Sequence, residues 1–378
     1  MVFCTNYYTF LPIPDNNCYF RIIMRIVIAP DSFKECLPAG EVAKAMADAV
    51  RKRCPDAEVV EMPLADGGEG TLDMLAAALK ADIRVADVHD PLGRPILAQY
   101  AIKGETAFIE SAQAVGLSLL QPSERNPLAA SSRGLGELLL DAHKDGCRHF
   151  IIGLGGSAIC DGGAGMLGVA GIEALKDSQF ELLCDVDAPF IGPKGAARVF
   201  APQKGASPKD VEVIENRMLA QARHLHAITG LDVSQIPGAG AAGGLGGAFI
   251  AFFCARLCPG IQRILDLVHF DEAIRDASLI ITGEGRSDAQ TLMGKVPYGV
   301  LQRVLQAGSR TIPVALVSGR IEDSSALARA GFGPIVEVTP REQPLPQALD
   351  PTIVRVNLFR AISQLVGNAR YAKMAENA

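Results

Sequence analysis

The residues able to do chemistry in this 378-residue chain gather in short segments bracketed by glycine. APDSFK (29–34) sets Asp31, Ser32 and Lys34 together. The lysine can neutralise a phosphate or carboxylate, while the aspartate and serine suit a site or a turn cap equally well. LADGGEGT (64–71) holds Asp66 and Glu69 between glycines, so a carboxylate there either faces a metal or hydroxyl or simply accompanies a left-handed turn. In CDVDAPF (184–190), Asp185 and Asp187 lie two apart. Alternate side chains of extended backbone share a side, so the two carboxylates converge on one cation or else sit solvated in a loop. APQKGA (201–206) offers Lys204 as a phosphate or substrate contact, with a solvated surface lysine as the alternative. TGEGRSDAQTLMGK (282–295) crowds Glu284, Arg286, Asp288, Gln290 and Lys295 into one stretch. Such density supplies an acid or metal ligand, a charge clamp for a transferring phosphoryl and an orienting amide.

Two further loops carry glycine instead of charge. GGSAICDGGAG (155–165) follows an apolar run at 149–153 and leads toward a helix, so the amides around Gly155, Gly156 and Ser157 suit an anion without any basic side chain. It is neither a Walker A loop nor a GxGxxG fingerprint, and close helix–strand packing also demands glycine. PGAGAAGGLGGAF (237–249) has only backbone donors to offer, at Gly238, Gly240, Gly243 and Gly244 among others. Cradling a nucleotide phosphate and forming a tight helix crossing are equally good accounts of it.

The elements that must position these loops alternate. Short β-branched runs at 25–29 and 59–64 flank a helical period at 39–53, and the same grammar returns at 278–282, 313–317 and 335–338 with helices at 296–305, 323–330 and 352–365. This is the pattern of a parallel, doubly wound α/β sheet, whose ligands sit beyond the carboxyl ends of the strands. The intervening stretch has its own strands at 107–110, 149–153 and 180–184. The expected architecture is therefore a discontinuous outer domain, 24–86 plus 267–378, enclosing an inserted α/β domain at 87–266. Residues 1–23 have no basic leader and contain Pro12, Pro14 and Asp15, which fits neither a signal peptide nor a membrane span. Met24, directly before the first strand, is read as the start, with 1–23 as an extension.

A net charge of −6 argues against a nucleic-acid surface, which needs a basic footprint. Nine scattered cysteines without a CxxC pair read as reduced thiols of a cytoplasmic protein.

In order and spacing these segments resemble the bacterial glycerate kinase family, from Met24 to about Gly367. The resemblance implies a flavodoxin-like or Rossmann-like domain and an inserted domain about a cleft. It further implies transfer of the γ-phosphoryl of ATP, with Mg²⁺, to D-glycerate, commonly at the 2-hydroxyl, in glyoxylate and sugar-acid metabolism. Asp185 and Asp187 then become metal or base candidates, with Asp288 and Glu284 as further acids. Lys34, Arg286 and Lys295 neutralise carboxylate and phosphate, while Asp66, Arg133, Lys204 and Gln290 contact substrate. The amides at 155–157 and 238–246 hold ATP. Against the family pattern, Ile159 and Cys160 replace Thr and Asn, Ala201 a Gly and Ser287 an apolar residue. Relatives also carry a longer connection where Ala170 here meets Gly171, so the inserted domain is expected to be shortened at that join.

Overall fold

Burial of both faces explains the outer strands: Ile26, Val27 and Ile28 are each fully buried, a continuous apolar run of the kind that helices on both sides of a parallel sheet require. The computed structural model describes residues 24–308 and 312–367, so the reading of Met24 and residues 1–23 concerns a segment outside the described residues. In chain order the strands are β1 (Arg25–Ile28), β2 (Glu58–Glu61), β3 (Asp82–His89), β4 (Pro95–Lys103), β5 (Thr106–Glu110) and β6 (His149–Gly153). They continue with β7 (Gln179–Leu183), β8 (Arg256–Cys258), β9 (Leu279–Ser287), β10 (Val314–Ile321) and β11 (Ile335–Glu337).

The chain divides into two compact units, Leu64–His269 and the two flanking segments together. The flanking unit has a wholly parallel sheet in the order β11-β10-β9-β1-β2. Counted by order of appearance within the unit this is 2-1-3-4-5, the flavodoxin-like arrangement, whose topological switch point lies between β1 and β9. The helix Ala39–Arg53 buries Val42, Met46, Ala49 and Val50, as its period predicts, and packs with the helix Pro351–Gly367. β9 extends five residues beyond the expected 282, because Glu284 and Arg286 keep their register with Ser318 and Arg320 of β10. TGEGRS is therefore strand, not loop.

The second unit has a six-stranded mixed sheet, β3-β4-β5-β6-β7-β8, antiparallel through β5 and parallel from β5 to β8. Phe150 stacks on Phe180 at 4.8 Å, and Phe180 in turn meets Phe249 and Phe253. A second apolar cluster lies under the helix Pro208–Thr229, around Ile214, Met218 and Phe190.

The units divide elsewhere than at the expected 86/87 and 266/267. Residue 86 is in the middle of β3, paired with Ala98 of β4, and residue 266 is within the helix Gly260–Leu267. Antiparallel pairing commits β3 to the second sheet, and the preceding helix Thr71–Leu79 packs on β4 and β5, so the boundary moves back to Pro63. The join at Ala170–Gly171 is a closed turn. Gly171 takes φ 89, Ile172 and Leu175 of the following 3-10 turn are buried, and β7 then enters parallel to β6.

Candidate functional site

In the flanking unit the polar groups gather at the switch point. β1 ends in APDSFK, where the Asp31 N–H donates to Gly283 O of β9 and Asp31 Oδ1 accepts from Ser32 N. The loop lies close to β9 at Gly285, where a Cβ would come 3.4 Å from Phe33 Cα and from Lys34 N. Lys34 is exposed. Beside it Glu284, 5% exposed, accepts through Oε1 from Thr291 Oγ1 (2.6 Å) and Ser287 Oγ (2.9 Å). Its Oε2 lies 3.5 Å from Lys295 Nζ. Burial pushes this carboxyl above its usual range, and the Thr291 bond and the Lys295 charge oppose the rise. Ser287, where the family pattern has an apolar residue, is also 2.6 Å from Ser318 Oγ, so its hydroxyl joins two strands in one buried network.

The remaining acids and bases of this segment are held locally. Asp288 Oδ1 accepts from Gln290 N and its own N–H donates to Thr291 Oγ1, an Asx turn that leads into the short 3-10 turn Thr291–Met293. Arg286 reaches Glu322 at 2.6 Å and lies 3.7 Å from Asp288. Gln290 is exposed.

In the second unit β7 ends at Leu183, so Asp185 and Asp187 lie beyond the strand and its alternation does not govern them. The acid that acts on Asp185 is Asp66, from the 64–70 loop. Burial pushes the Asp185 carboxyl up to about 6, the Gly260 N–H it accepts from at 2.8 Å pulls it down, and the Asp66 charge raises it further. Asp185 is nonetheless an exposed residue, so solvent screens these effects. Gly260 opens the helix Gly260–Leu267, so Asp185 also serves that helix as a negative cap. Asp187 is exposed. Among the described residues no three His, Cys, Asp or Glu side chains gather as a metal cage. An Asp66–Asp185 pair of like carboxylates open to water nonetheless suits Mg²⁺, which takes one or two protein carboxylates and leaves its other positions to water and phosphate.

The glycine loops have partners of their own. A Cβ on Gly67 or Gly155 would meet Leu183 Cβ at 2.8 Å or Gly68 Cα at 2.7 Å, and one on Gly153 would strike Gly67 O, so the 64–70 loop lies directly on the ends of β6 and β7. Gly240, Gly243 and Gly244 approach Pro189 O, Ile159 O and Gly162 Cα in the same way, and Gly238 approaches Leu257. The N–H groups of Gly240 and Gly244 are already given to Ala188 O and Gly240 O. Tight packing thus accounts for these glycines, and fewer amides face a ligand than the sequence suggests. The helix after GGSAICDGGAG is only Ala164–Leu167, too short for a strong dipole, and Asp161 occupies its start by accepting from Gly163 N, Gly165 N and Ser132 Oγ. Gly156 takes φ 71 at the turn before Ser157.

Two expected substrate contacts take other places. Lys204, read as a possible surface lysine, is 2% exposed and donates to Ser157 Oγ (3.0 Å) and Ile159 O (2.6 Å). Burial lowers its ammonium from the usual lysine range, so it clamps the 155–161 loop from beneath. Arg133 donates to Glu137 Oε1 at 2.7 Å one turn along its helix, and Glu137 also accepts from His89 N.

The strand-end rule reaches one group that the sequence reading passed over. Glu110 closes β5 and is buried, and burial raises its carboxyl to about 7. A glutamate ending an apolar strand was the available signal. A hollow of about 590 Å³ lined by Lys80, Arg84, Lys103 and Asp145 lies at the other end of β5, away from these loops.

The model of the glycerate kinase family matches residues 26–182 and 170–367. A glycerate kinase of Halalkalibacterium halodurans is 39% identical over 356 residues, covering 86% of this chain and 93% of the relative. The glycerate 2-kinase of Escherichia coli K12 is 43% identical over 308 residues, covering 73% of this chain and 81% of the relative. A crystal structure assigned as glycerate kinase 2 of Salmonella typhimurium LT2 superposes with a TM-score of 0.81 at 36% identity, over 93% of this chain and 99% of that one. With a family match spanning both units and a solved fold of the same plan, the chain belongs to the glycerate kinase family.

Proposed function

We propose that this protein transfers the γ-phosphoryl of ATP to D-glycerate, at the 2-hydroxyl in preference to the 3-hydroxyl, as a cytoplasmic enzyme of glyoxylate and sugar-acid metabolism. The observation that carries the reading is the Asp66–Asp185 pair held beside the Gly260 amide, within a chain of this family. Phosphoryl transfer needs positioning and charge neutralisation more than covalent chemistry. Asp185 and Asp66 are the residues that would hold Mg²⁺, with Asp187 free to join, and the ion would neutralise charge on the transferring group. As the alternative to holding the ion, Asp185 would take the hydroxyl proton as general base. Lys34, Arg286 and Lys295 supply cations for carboxylate and phosphate, with Glu284 orienting Lys295. ADP release coupled to a reporter reaction, with D-glycerate and Mg²⁺, is expected at roughly 1–100 per second, and phosphorus NMR of the product distinguishes the 2- from the 3-phosphate.

One observation favours a second reading, a family member that binds nucleotide or hydroxy acid without turnover. Ile159 and Cys160 are both buried, so the 155–161 loop has no polar side chain at two positions where the family pattern has one. ATP binding by calorimetry without ADP release would select it.

A further inference from the structure

The loop that carries Asp66 runs into the nine-residue helix Thr71–Leu79, and the residue before that helix is Gly70, at φ 87, with no side chain to cap the first turn. The cap comes from another element. Glu110, last residue of β5 and 5% exposed, accepts from Leu72 N through Oε1 at 2.6 Å. The hydroxyls on either side of this bond in the sequence, Thr71 Oγ1 and Ser111 Oγ, are buried without a hydrogen-bond partner. One carboxyl therefore fastens the helix start to β5. The loop's other anchor is Gly67, seated on Leu183, and Asp66 itself accepts from Gly68 N at 3.0 Å.

We propose that Glu110 is a positioning residue for Asp66, a proton-linked latch that fixes the 64–70 loop through the first turn of the helix Thr71–Leu79. In its activity readouts this rests on the kinase reading above. The charges acting on Glu110 are Asp73 of the helix and Glu69 of the loop, both acidic. β6 sets Gly153 opposite it, and the nearest charge of β4 in the ladder, Lys103, faces Thr106 at the far end of β5. Burial, with Asp73 and Glu69, outweighs the Leu72 and Gly70 amides and holds the carboxyl near 7, against 4.5 for a free glutamate. The closed latch thus binds the proton more tightly than an open one. By linkage, proton loss as pH rises from 4.5 through about 7 favours release, and the latch is tightest on the acid side. A protonated Glu110 still accepts from Leu72 N through an unprotonated oxygen.

The test is hydrogen exchange of residues 64–79 in the full chain, from about pH 5 to 8 and corrected for intrinsic rates, alongside kcat/KM with D-glycerate. In the wild type protection should fall as pH rises from about 5 to about 7 and level off above that. Glu110→Gln, which keeps an acceptor without a charge, should be flat across that range, and Glu110→Ala should be unprotected throughout. Activity of Glu110→Ala should drop on the order of tenfold to a hundredfold, with Glu110→Gln restoring most of it. Should Glu110→Ala not fold, the wild type and Glu110→Gln decide by their pH profiles alone. Wild-type protection that does not change between about pH 5 and 7, or a Glu110→Gln profile that tracks the wild type, overturns the latch. Absence of wild-type turnover sinks the kinase reading instead and leaves the exchange result standing.

Discussion

Single side chains here owe their chemistry to what surrounds them, and the surroundings set three measurable effects. Asp66 raises Asp185, so in the metal-free protein Asp66→Asn should lower the Asp185 pKa from about 6, as followed by carbon NMR of the carboxyl. Saturating Mg²⁺ should lower it in the wild type as well. Ser287 donates to Glu284, a buried acceptor, and Ser287→Ala should cost about 1–2 kcal/mol in denaturant unfolding. In combination with Glu284→Gln that cost should shrink, because the stronger, charge-assisted half of the bond is then gone. Residue types were legible in advance: acids, amides and cations cluster in TGEGRSDAQTLMGK. Their partners were not. Nothing local in the sequence says that Glu284 meets Ser287 and Lys295, or that Asp185 faces Asp66 and not its neighbour Asp187.

At the scale of elements, glycines that look alike in sequence do different work. Gly243 takes φ 67 and a Cβ there would strike Ile159 O, whereas Gly171 takes φ 89 with open space around it. Gly243→Ala should therefore cost about 3 kcal/mol or more, left-handed strain plus overpacking, and Gly171→Ala only about 1 kcal/mol, each read from urea unfolding. Equal losses would show that the 237–249 segment is not the close crossing described. Helix Ala39–Arg53 was legible to the residue, because four apolar side chains at helical spacing face one core. The four-residue helix after GGSAICDGGAG was not, since its start is set by Asp161 reaching back to Ser132 across the fold.

For the whole molecule, the second unit is continuous in sequence and has two apolar clusters of its own. A fragment of residues 64–269 should fold alone and unfold cooperatively in urea, whereas one cut at the sequence-derived 87–266 should not, having lost half of β3 and the helix on β4 and β5. Matched fluorescence and circular dichroism transitions of the two fragments check this. No described helix is long and apolar enough to cross a membrane. By itself the sequence determined the α/β class, the alternation of strands and helices, and the family, because periodicity and short motifs are local properties of the chain. Only the tertiary structure decided the 2-1-3-4-5 strand order, the boundary at Pro63, the burial of Lys204 and the place of Glu110 at the start of a helix from another segment. Each of these is a contact between residues distant in sequence, fixed by which surfaces exclude water together, and no local pattern encodes that.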